Sequence, residues 1–462
     1  MEHGRGGPGN GGVAGTTPTR EEDADLRTVF GVLVLLLAVG LGGCARAPVA
    51  REGPVETAAP KPGEAYPAVT GDGAWSWIGD PRAVYYEGEH RRTYVGWVNA
   101  QGDIRVASYD HDTGEATTAT VREELDRDDH ANPALLVRPD GRLIVFYSGH
   151  RGRWLIYRVS SLPEEVTRWG DEATVAPFTS DERGHTYPAP VRLPGEGGTI
   201  YTFWRGPGYD VLFSTSDDGE SWSAAAPFLE NDDDRPYAKL TVDEEGAIHF
   251  ALTDGNPAEV PANSIYYVRL EGDDLTTADG THIARAEDLP LRPVECELVF
   301  DSVHEGVSAW IWDIAVDSDA HPVIVYAVFA AEDDHRYRYA RWDGRSWSGH
   351  EITSAGGWFP TVRRGAQRFT SYYSGGLALD HADPSVVYLS RDVGGVFEIE
   401  RWVTPDGGVS WTSRAITANS AKNNVRPFVP RGNAPDGPRV IWMHGDYVDW
   451  KEYGTSLRMK LD

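Results

Sequence analysis

The sequence predicts an all-β fold, on three observations: its composition, its lack of helical periodicity and a hairpin pattern that recurs along the chain. The 462 residues include 51 glycines, 30 prolines, 16 tryptophans and 21 tyrosines, and no long apolar stripe of helical period follows residue 50. This combination is typical of many short strands joined by tight turns. The length would suit two or three average domains, but large all-β folds often form one unit.

The N-terminal segment is predicted to be a lipoprotein signal followed by a tether. Residues 29–43 form an apolar run that is short for a membrane span, and residues 41–44 resemble a lipobox, in which Cys44 carries the lipid. A short uncleaved anchor is the alternative, and acidic residues before the run leave a downstream start open. We assign residues 1–43 to the signal and residues 44–69, rich in Pro, Ala, Glu and Gly, to a flexible linker. The protein is therefore expected to be exported, as a cell-surface or periplasmic lipoprotein that touches the membrane only through this lipid.

Charge and cysteine content narrow the class of ligand. The net charge of −28 argues against nucleic acid and against binding a polyanion by bulk charge, so an anionic substrate must be held by local arginines. If Cys44 carries lipid, Cys296 has no disulfide partner. His282 and Cys296 are candidate ligands of a structural zinc, with an ordinary loop histidine and a buried thiol as the alternative. A structural calcium ion is also left open, and a monomer is expected.

One hairpin pattern recurs seven times. Residues 134–137 and 143–147 are apolar runs of strand length, separated by a turn signal at residues 139–141. The other six pairs of runs open at or near Trp77, Tyr187, Tyr237, Trp310, Gly375 and Arg426. Divided by seven, residues 70–462 give about 56 residues per unit, close to the roughly 40 to 50 typical of one four-stranded propeller blade. The sequence therefore predicts a seven-bladed β-propeller of four-stranded antiparallel blades over residues 70–462.

Turn motifs support this prediction. Residues 215–222 and 404–411 fit the Ser/Thr-x-Asp-x-Gly-x-Ser/Thr-Trp pattern called the Asp box, with Asp217 and Asp406 at its central position. In this motif the carboxylate accepts backbone N–H bonds across a hairpin turn, and the tryptophan packs between neighbouring strands. Residues 342–347 look like a degenerate third copy. We expect these motifs to be structural and not to touch substrate.

Candidate functional residues gather where the hairpin ends meet at one face of the propeller. Antiparallel pairing about each turn places His130 opposite His150 in one blade and Tyr187 opposite Arg205 in the next. The same pairing brings to this face Arg235 with Asp254 beside Tyr237, Trp77 with Asn99, Arg391 with Gly375, and Arg426 with His444. The set is rich in His, Tyr and Arg and nearly free of Lys and of hydroxyl nucleophiles.

These residue types suit β-elimination on a uronic-acid polysaccharide. An arginine fork on the uronate carboxylate stabilises the charge that develops as the C5 proton leaves. One His or Tyr removes that proton and another protonates the departing oxygen at C4, so the chemistry requires no metal and no nucleophile. A hydrolase would instead need two carboxylates facing each other across the bond, and this face offers chiefly Asp254, already opposite Arg235.

A series of short motifs also resembles a known family. The motifs are, in order, Asp-Asp-His-x-Asn-Pro with Tyr-Ser-Gly-His, Thr-Tyr-Pro-x-Pro, Phe-Trp-Arg-Gly, Arg-Pro-Tyr-x-Lys, Thr-Asp-Gly, Trp-x-Trp-Asp and Asn-x-Arg-Pro. Over roughly residues 70 to 460 they resemble the BNR-repeat-containing family that includes the seven-bladed propeller ulvan lyases. The resemblance implies a polysaccharide lyase acting on a uronic-acid-containing, rhamnose-rich polysaccharide.

The resemblance also implies residue roles. His130 and Tyr187 would form the acid/base pair, with Arg205 on the uronate carboxylate and His150 and Tyr237 in support. The remaining candidates for substrate binding are Asn132, Arg235 and Arg426. Asn256 stands where a histidine is expected in many relatives, which puts an inherited metal site in doubt.

Structural alternatives stand beside each of these roles. The two histidines could be a structural pair, the tyrosines could be packing aromatics, and Arg205 could pair with one of the many acidic side chains. Trp77, Trp310 and Trp312 are expected in the core and not as sugar platforms. The sequence does not decide which of His130 and Tyr187 is the base, whether the glycan is sulfated, or whether cleavage is endo or exo.

Two other functions fit the same fold. One is a rhamnosidase, or a lyase that removes terminal rhamnose from glucuronate, and it predicts release of a monosaccharide. The other is a non-catalytic glycan-binding propeller, which predicts binding without any product. A sialidase is disfavoured, because those propellers use an arginine triad with a Tyr-Glu nucleophile pair, and that pair cannot be assembled from this sequence.

Overall fold

Seven antiparallel sheets surround a central channel, as the seven hairpins predict. The computed structural model describes residues 66–461, apart from residues 176–182, 196, 233, 358, 360–362, 365–366, 369–371, 433 and 435. The described residues all belong to one compact unit, Thr57–Asp462. No helix among them is long and apolar enough to cross a membrane.

The first three blades each use four consecutive strands, with the innermost strand first. These strands are β2 Ala83–Glu87, β3 Arg91–Val98, β4 Ile104–Asp110 and β5 Ala116–Arg122 in blade 1, β6 Ala134–Val137, β7 Leu143–Tyr147, β8 Ile156–Val159 and β9 Ala173–Thr174 in blade 2, and β10 Thr186–Arg192, β11 Ile200–Arg205, β12 Val211–Ser216 and β13 Ala226–Leu229 in blade 3.

Blade 4 is the irregular one, because three short strands complete its outer edge. Its strands are β14 Tyr237–Val242, β15 Ile248–Thr253, β16 Ile265–Glu271, β17 Asp274–Thr276, β18 His282–Arg285 and β19 Glu297–Phe300. Both β17 and β19 pair with β16, at its two ends. A single helical turn, α1 (Ser302–Glu305), leads to blade 5.

Blades 5 and 6 return to the four-stranded pattern. Their strands are β20 Ser308–Val316, β21 Pro322–Ala331, β22 Asp334–Trp342 and β23 Trp347–Gly356 in blade 5, and β26 Leu377–Leu379, β27 Val386–Asp392, β28 Phe397–Val403 and β29 Thr412–Ala415 in blade 6. A two-stranded ribbon, β24 (Arg363–Arg364) and β25 (Gln367–Arg368), lies between them in sequence.

The last blade closes the ring by combining both ends of the propeller. Its three C-terminal strands are β30 Asn423–Phe428, β31 Pro438–Asp449 and β32 Glu452–Leu461, and its outermost strand is β1 Ala68–Thr70. Ala68 and Val69, which the sequence assigned to the linker, therefore belong to the propeller. The predicted signal over residues 1–43, Cys44 and the linker up to residue 65 lie outside the described residues.

The hairpin register decides which side chains reach the face of the propeller. In blade 2, Leu135 lies opposite Val145, the predicted pairing about Asp140. In blade 4, Tyr237 lies opposite Thr253, so the register differs by one residue from the predicted pairing of Arg235 with Asp254. One residue of difference turns a side chain to the other side of a strand.

The Asp-box turns join neighbouring blades. Asp406 accepts the backbone N–H of Ser410 at 2.8 Å, and Trp411 packs edge-on against Tyr339 of blade 5 with ring centroids 5.3 Å apart. In the first copy Asp218, and not Asp217, makes the equivalent bonds, because that turn is one residue shorter than the pattern assumes. The motifs are structural, as predicted.

An aromatic cluster fills the channel at the inner strand ends. Trp77 stacks on Trp312 with ring centroids 4.5 Å apart and meets Trp310 edge-on at 5.1 Å. Tyr373 contacts Trp77 at 4.9 Å, and Tyr237 contacts Trp310 at 5.3 Å. The three tryptophans are at most 3% exposed and belong to the core, as predicted.

Candidate active site

Two stacked histidines share one carboxylate at the end of the blade 2 hairpin. The rings of His130 and His150 lie 4.3 Å apart between centroids and within 12° of parallel. Nδ1 of His130 lies 2.6 Å from one oxygen of Asp128, and Nδ1 of His150 lies 2.9 Å from the other. Asp128 also caps the 3-10 turn Asp129–Ala131 by accepting the backbone N–H of His130. The sequence missed this role of Asp128, although the Asp-Asp-His motif contains it.

The charges around the two rings differ. Burial would lower the pKa of His130, but Asp129 and Asp128 more than offset it and raise this pKa to about 9. Burial lowers the pKa of His150 below its ordinary 6.5, and the neighbouring charge of His130 adds to that effect. Burial raises the pKa of Asp128, but the two histidines outweigh it and hold this pKa well below its ordinary range. At neutral pH, Asp128 is therefore ionised, His130 is an imidazolium and His150 is neutral.

The tautomer of His150 follows from this carboxylate. An ionised Asp128 only accepts hydrogen bonds, so Nδ1 of His150 carries the hydrogen that it donates. Nε2 of a neutral His150 is then an unprotonated proton acceptor. His150 is also the more accessible ring, with 24% of its side chain exposed against 6% for His130.

Arg426 is a buried countercharge to Asp129. It is 1% exposed, donates to Asp129 and to the backbone oxygen of Trp75, and contacts the hydroxyl of Tyr447 at 2.8 Å. These contacts lie within the protein and give no support to the predicted role of Arg426 in substrate binding, which stays a prediction. Asp129 therefore contacts Arg426 through one oxygen and Nδ1 of His130 through the other, and Asp128 alone contacts both histidines.

Tyr187 and Arg205 lie next to the histidines, at the open end of blade 3. The ring of Tyr187 lies 5.6 Å from that of His130, and the guanidinium carbon of Arg205 lies 4.6 Å from the Tyr187 ring centroid. Tyr187 adopts a φ of 62°, uncommon for a residue with a side chain, at an irregularity in the pairing of β10 with β11. Backbone strain of this kind is concentrated at functional sites.

Arg205 is a buried cation without a carboxylate partner among the described residues. Its side chain is 5% exposed, its Nη2 donates to Thr186 Oγ1 at 3.3 Å, and its buried Nε has no partner. Burying an unpaired charge is costly, so this arrangement favours an anionic ligand.

The phenol of Tyr187 is protonated and available. Burial raises the pKa of Tyr187 well above 10, although Arg205 opposes that effect. Among the described residues no hydrogen-bond partner engages its hydroxyl. Tyr187 can therefore donate a proton to a bound molecule.

Two further tyrosines complete the site. Tyr237 is 4% exposed, and its hydroxyl accepts a hydrogen bond from Asn256 Nδ2 at 3.5 Å. Asn256 stands where the resemblance implies a histidine, and in this protein it contacts the tyrosine. The hydroxyl of Tyr373 lies 3.4 Å from Nε2 of His130. Tyr373 was not predicted from the sequence. Its position was a usable signal, because Tyr373 lies shortly before the inner strand of blade 6, and Tyr187 and Tyr237 lie at the starts of the inner strands of blades 3 and 4.

The other predicted face residues make contacts within the protein. Asn132 is 1% exposed and joins blades 1 and 2 through the backbone of Ser76 and Gly79, so its predicted role in substrate binding gains no support from these contacts and stays a prediction. Arg235 pairs with Glu259 at 2.7 Å and not with Asp254. The further face residues pair as Asp254 with Ser264, Arg391 with Glu400, and His444 with Asn424.

Potential metal ligands occur in two groups of three among the described residues. One is Asp128 with His130 and His150, whose Nδ1 atoms already bind the carboxylate. The other is the turn group Asp317, Asp319 and His321. The predicted zinc ligands belong to neither group. His282 bonds to Asp274 at 2.7 Å on the surface, and Cys296 is buried in an apolar cluster.

A large cavity lies at the opposite mouth of the channel. It has a volume of about 1220 Å³ and is lined by the far ends of the inner strands. Lys239, at its floor, is 3% exposed and is paired with Asp80 and with the backbone oxygen of Trp77. The aromatic cluster therefore separates this cavity from the histidines.

The fold and the site together define a seven-bladed propeller that carries, at one face, two histidines on a shared carboxylate and a buried arginine with no carboxylate partner among the described residues. The chain belongs to the BNR repeat-containing family, whose model matches residues 92–355, more than half of the chain.

Relatives of this chain include ulvan lyases. It is 26% identical over 184 residues to the PL25 ulvan lyase of Pseudoalteromonas sp. (strain PLSV), which is 33% of this chain and only 36% of that protein. It is 23% identical over 437 residues to the ulvan lyase of Nonlabens ulvanivorans, covering 82% of this chain and 84% of that protein.

A solved structure shares the fold. The structure of a PL25 ulvan lyase bound to -[GlcA(1-4)Rha3S]- superposes with a TM-score of 0.65 at 17% identity, covering 85% of this chain and 94% of that chain. The similarity confirms the seven-bladed propeller of four-stranded antiparallel sheets.

Proposed function

We propose that this protein is a polysaccharide lyase that cleaves an ulvan-like, uronic-acid-containing polysaccharide by β-elimination. The observation that carries the proposal is a buried, unpaired Arg205 beside a protonated phenol, Tyr187, and a neutral imidazole, His150. These are the three groups that the elimination needs: an anchor for the carboxylate, a proton donor and a proton acceptor. The ulvan lyases among the relatives support the substrate class.

The reaction distributes protons as follows. The guanidinium of Arg205 binds the uronate carboxylate and stabilises the charge that develops when C5 loses its proton. Nε2 of His150 accepts that proton, the C4–O4 bond breaks, and a C4=C5 double bond forms. The hydroxyl of Tyr187 gives its proton to the departing O4. The proton then passes from His150 to the phenolate through solvent, which restores both groups.

His130 is a charge-setting residue in this scheme and not the base. Its Nδ1 faces both Asp128 and Asp129, and Nε2 lies near Tyr373, so in the resting site it is a held cation. Its positive charge helps to keep His150 neutral. The resemblance implies His130 and Tyr187 as the acid/base pair without deciding which is the base; the proposal keeps Tyr187 as the acid and assigns the base to His150.

Hydrolysis of the same glycan is disfavoured by the carboxylates. An inverting or retaining glycosidase uses two carboxyl groups on either side of the scissile bond. Asp128 and Asp129 are fully buried, and they are bound to the two histidines and to Arg426. Neither carboxylate is available for a sugar, which favours the lyase over the rhamnosidase.

The test is formation of an unsaturated uronate by the purified protein. With ulvan as substrate, we expect new ultraviolet absorbance from the C4=C5 bond and a loss of about 100-fold or more in rate for Tyr187→Phe, which removes only the proton donor. Tyr201→Phe, on the same blade in β11, is the matched control and should keep the wild-type rate. Release of free rhamnose without this absorbance would favour the rhamnosidase, and glycan binding without product the non-catalytic propeller.

Export as a lipoprotein is a separate proposal, supported by the lipobox-like residues 41–44. We propose that Cys44 is the lipidated N-terminal residue of the mature protein and that the propeller acts at the cell surface or in the periplasm. Mass spectrometry of the protein from its native membrane should show a diacylglyceryl adduct on Cys44. A mature protein that begins elsewhere, without lipid, contradicts this.

A further inference from the structure

Three arginines from three consecutive blades surround one tyrosine beside the site. The guanidinium carbons of Arg151, Arg205 and Arg235 lie 5.2, 5.6 and 5.2 Å from the ring centroid of Tyr209. These arginines come from the end of the blade 2 hairpin, from β11 and from the residues just before β14. A single ring therefore gathers three positive groups in one small region.

Tyr209 is held in place by an unusual backbone. It ends the 3-10 turn Pro207–Tyr209 in the loop between β11 and β12, with a φ of 74°. Arg151 also has a positive φ, 55°, and its backbone N–H donates to Thr186 Oγ1 at 2.8 Å. Residues with side chains adopt such φ values only where the surroundings hold them. The β11–β12 loop thus holds Tyr209, and the segment after β7 holds Arg151, next to Arg205.

The positive charge of this group is poorly balanced. Among the described residues, no carboxylate forms an ion pair with Arg151 or Arg205. Arg235 forms a two-point ion pair with Glu259, through Nε and Nη2, and the Glu259 side chain is 54% exposed. In a chain with 71 acidic and 43 basic residues, three arginines with one exposed carboxylate form a local exception.

One anion does not account for three guanidinium groups. Arg205, the buried member, is the anchor for the uronate carboxylate in the function proposed above. Arg151 is exposed and Arg235 is 22% exposed, so both can reach a bound chain. Guanidinium forks bind carboxylate and sulfate oxygens in pairs, and they stack on aromatic rings as they do here on Tyr209.

We propose that Arg151 and Arg235, arranged around Tyr209, form a second anion-binding subsite that holds a charged substituent on the sugar next to the uronate bound by Arg205. The substituent is a sulfate ester or a second carboxylate, which present similar oxygens to an arginine fork. The inference rests on the proposed lyase function. Such a subsite makes the enzyme selective for glycans that carry charges on consecutive sugars.

The test compares two polymers and two variants. The polymers are a sulfated uronate polysaccharide that the wild-type protein cleaves and the same polymer after chemical desulfation. Arg151→Gln removes the subsite cation, and Arg142→Gln removes the same charge from the far end of the same blade, at the turn before β7. We expect Arg151→Gln to raise KM on the sulfated polymer about tenfold with little change in kcat, and Arg142→Gln to match the wild type.

The desulfated polymer identifies the ligand. If the subsite binds sulfate, the KM difference between Arg151→Gln and the wild type disappears on this polymer. If it binds a carboxylate, the difference persists. A KM for Arg151→Gln equal to that of the wild type on both polymers overturns the proposal.

A binding measurement separates this proposal from the proposed function. Should the wild-type protein yield no unsaturated product, calorimetry with a sulfated uronate oligosaccharide still compares the wild type with Arg151→Gln. Weaker binding to the variant supports the subsite. Equal binding, or no binding to either protein, overturns it.

Discussion

Replacing His150 by glutamine is expected to lower kcat/KM for β-elimination by about 10³-fold, because it removes the proton acceptor while keeping a polar side chain beside Asp128. His130→Gln is the informative counterpart. It removes the cation that helps to hold the pKa of His150 down, but it leaves Nε2 of His150 in place. We expect this second variant to keep measurable activity, so the two stacked rings should be unequal in their effect.

The pH dependence of kcat/KM gives the same assignment independently. A base must be unprotonated, so with His150 in that role activity is constant at neutral pH and falls only as the pH drops through the lowered pKa of His150, below 6.5. If His130 were the base, activity would already fall below about pH 9. Loss of the donor, Tyr187, sets in only above pH 10, because burial raises its pKa.

His130→Gln should also shift this profile. Without the neighbouring positive charge, the pKa of His150 rises, and the acidic limb of the profile moves to higher pH. The profile is measured on the wild type and on His130→Gln with one substrate and one ionic strength. Equal loss of activity in the two variants, or a wild-type acidic limb near pH 9, contradicts the assignment of His150 as base.

Contacts within one hairpin were predictable from the sequence. His130 and His150 are 20 positions apart in the sequence. The turn at residues 139–141 fixes the register of the hairpin, and only that register buries the apolar side chains of both β6 and β7. The same rule predicted Tyr187 opposite Arg205; the two side chains are neighbours, but a shift in register places Thr186 opposite Arg205. Seven repeats of this unit, with the Asp-box turns, were sufficient to predict the propeller.

Contacts between blades were not predictable in the same way. Asp129 and Arg426 are distant in sequence and meet only because blade 7 closes against blade 1 and its neighbour. Nothing local distinguishes Arg426, with a buried partner, from Arg205, with none among the described residues. Arg235 was assigned to Asp254 because a hairpin rule cannot see Glu259, which reaches it from the loop after β15. The partners of a buried charge are therefore the part of the site that required the structure.

The two buried arginines should respond in opposite ways to the same substitution. Arg205→Met removes a buried cation that has no carboxylate partner among the described residues, and methionine fills part of the same space. We expect the free energy of unfolding to stay the same or to rise by about 1 kcal/mol. Activity should fall by about 10³-fold, because nothing then stabilises the charge on the uronate.

Arg426→Met is the matched control. Arg426 is 1% exposed and paired with Asp129, so its removal leaves a buried carboxylate uncompensated, at a cost of about 3 to 5 kcal/mol in the free energy of unfolding. Urea unfolding of the two variants and the wild type measures the difference. If Arg205→Met is destabilised as strongly as Arg426→Met, Arg205 is a structural residue after all. If it is as stable as the wild type and inactive, the protein tolerates an unpaired buried charge at this position because its substrate supplies the partner.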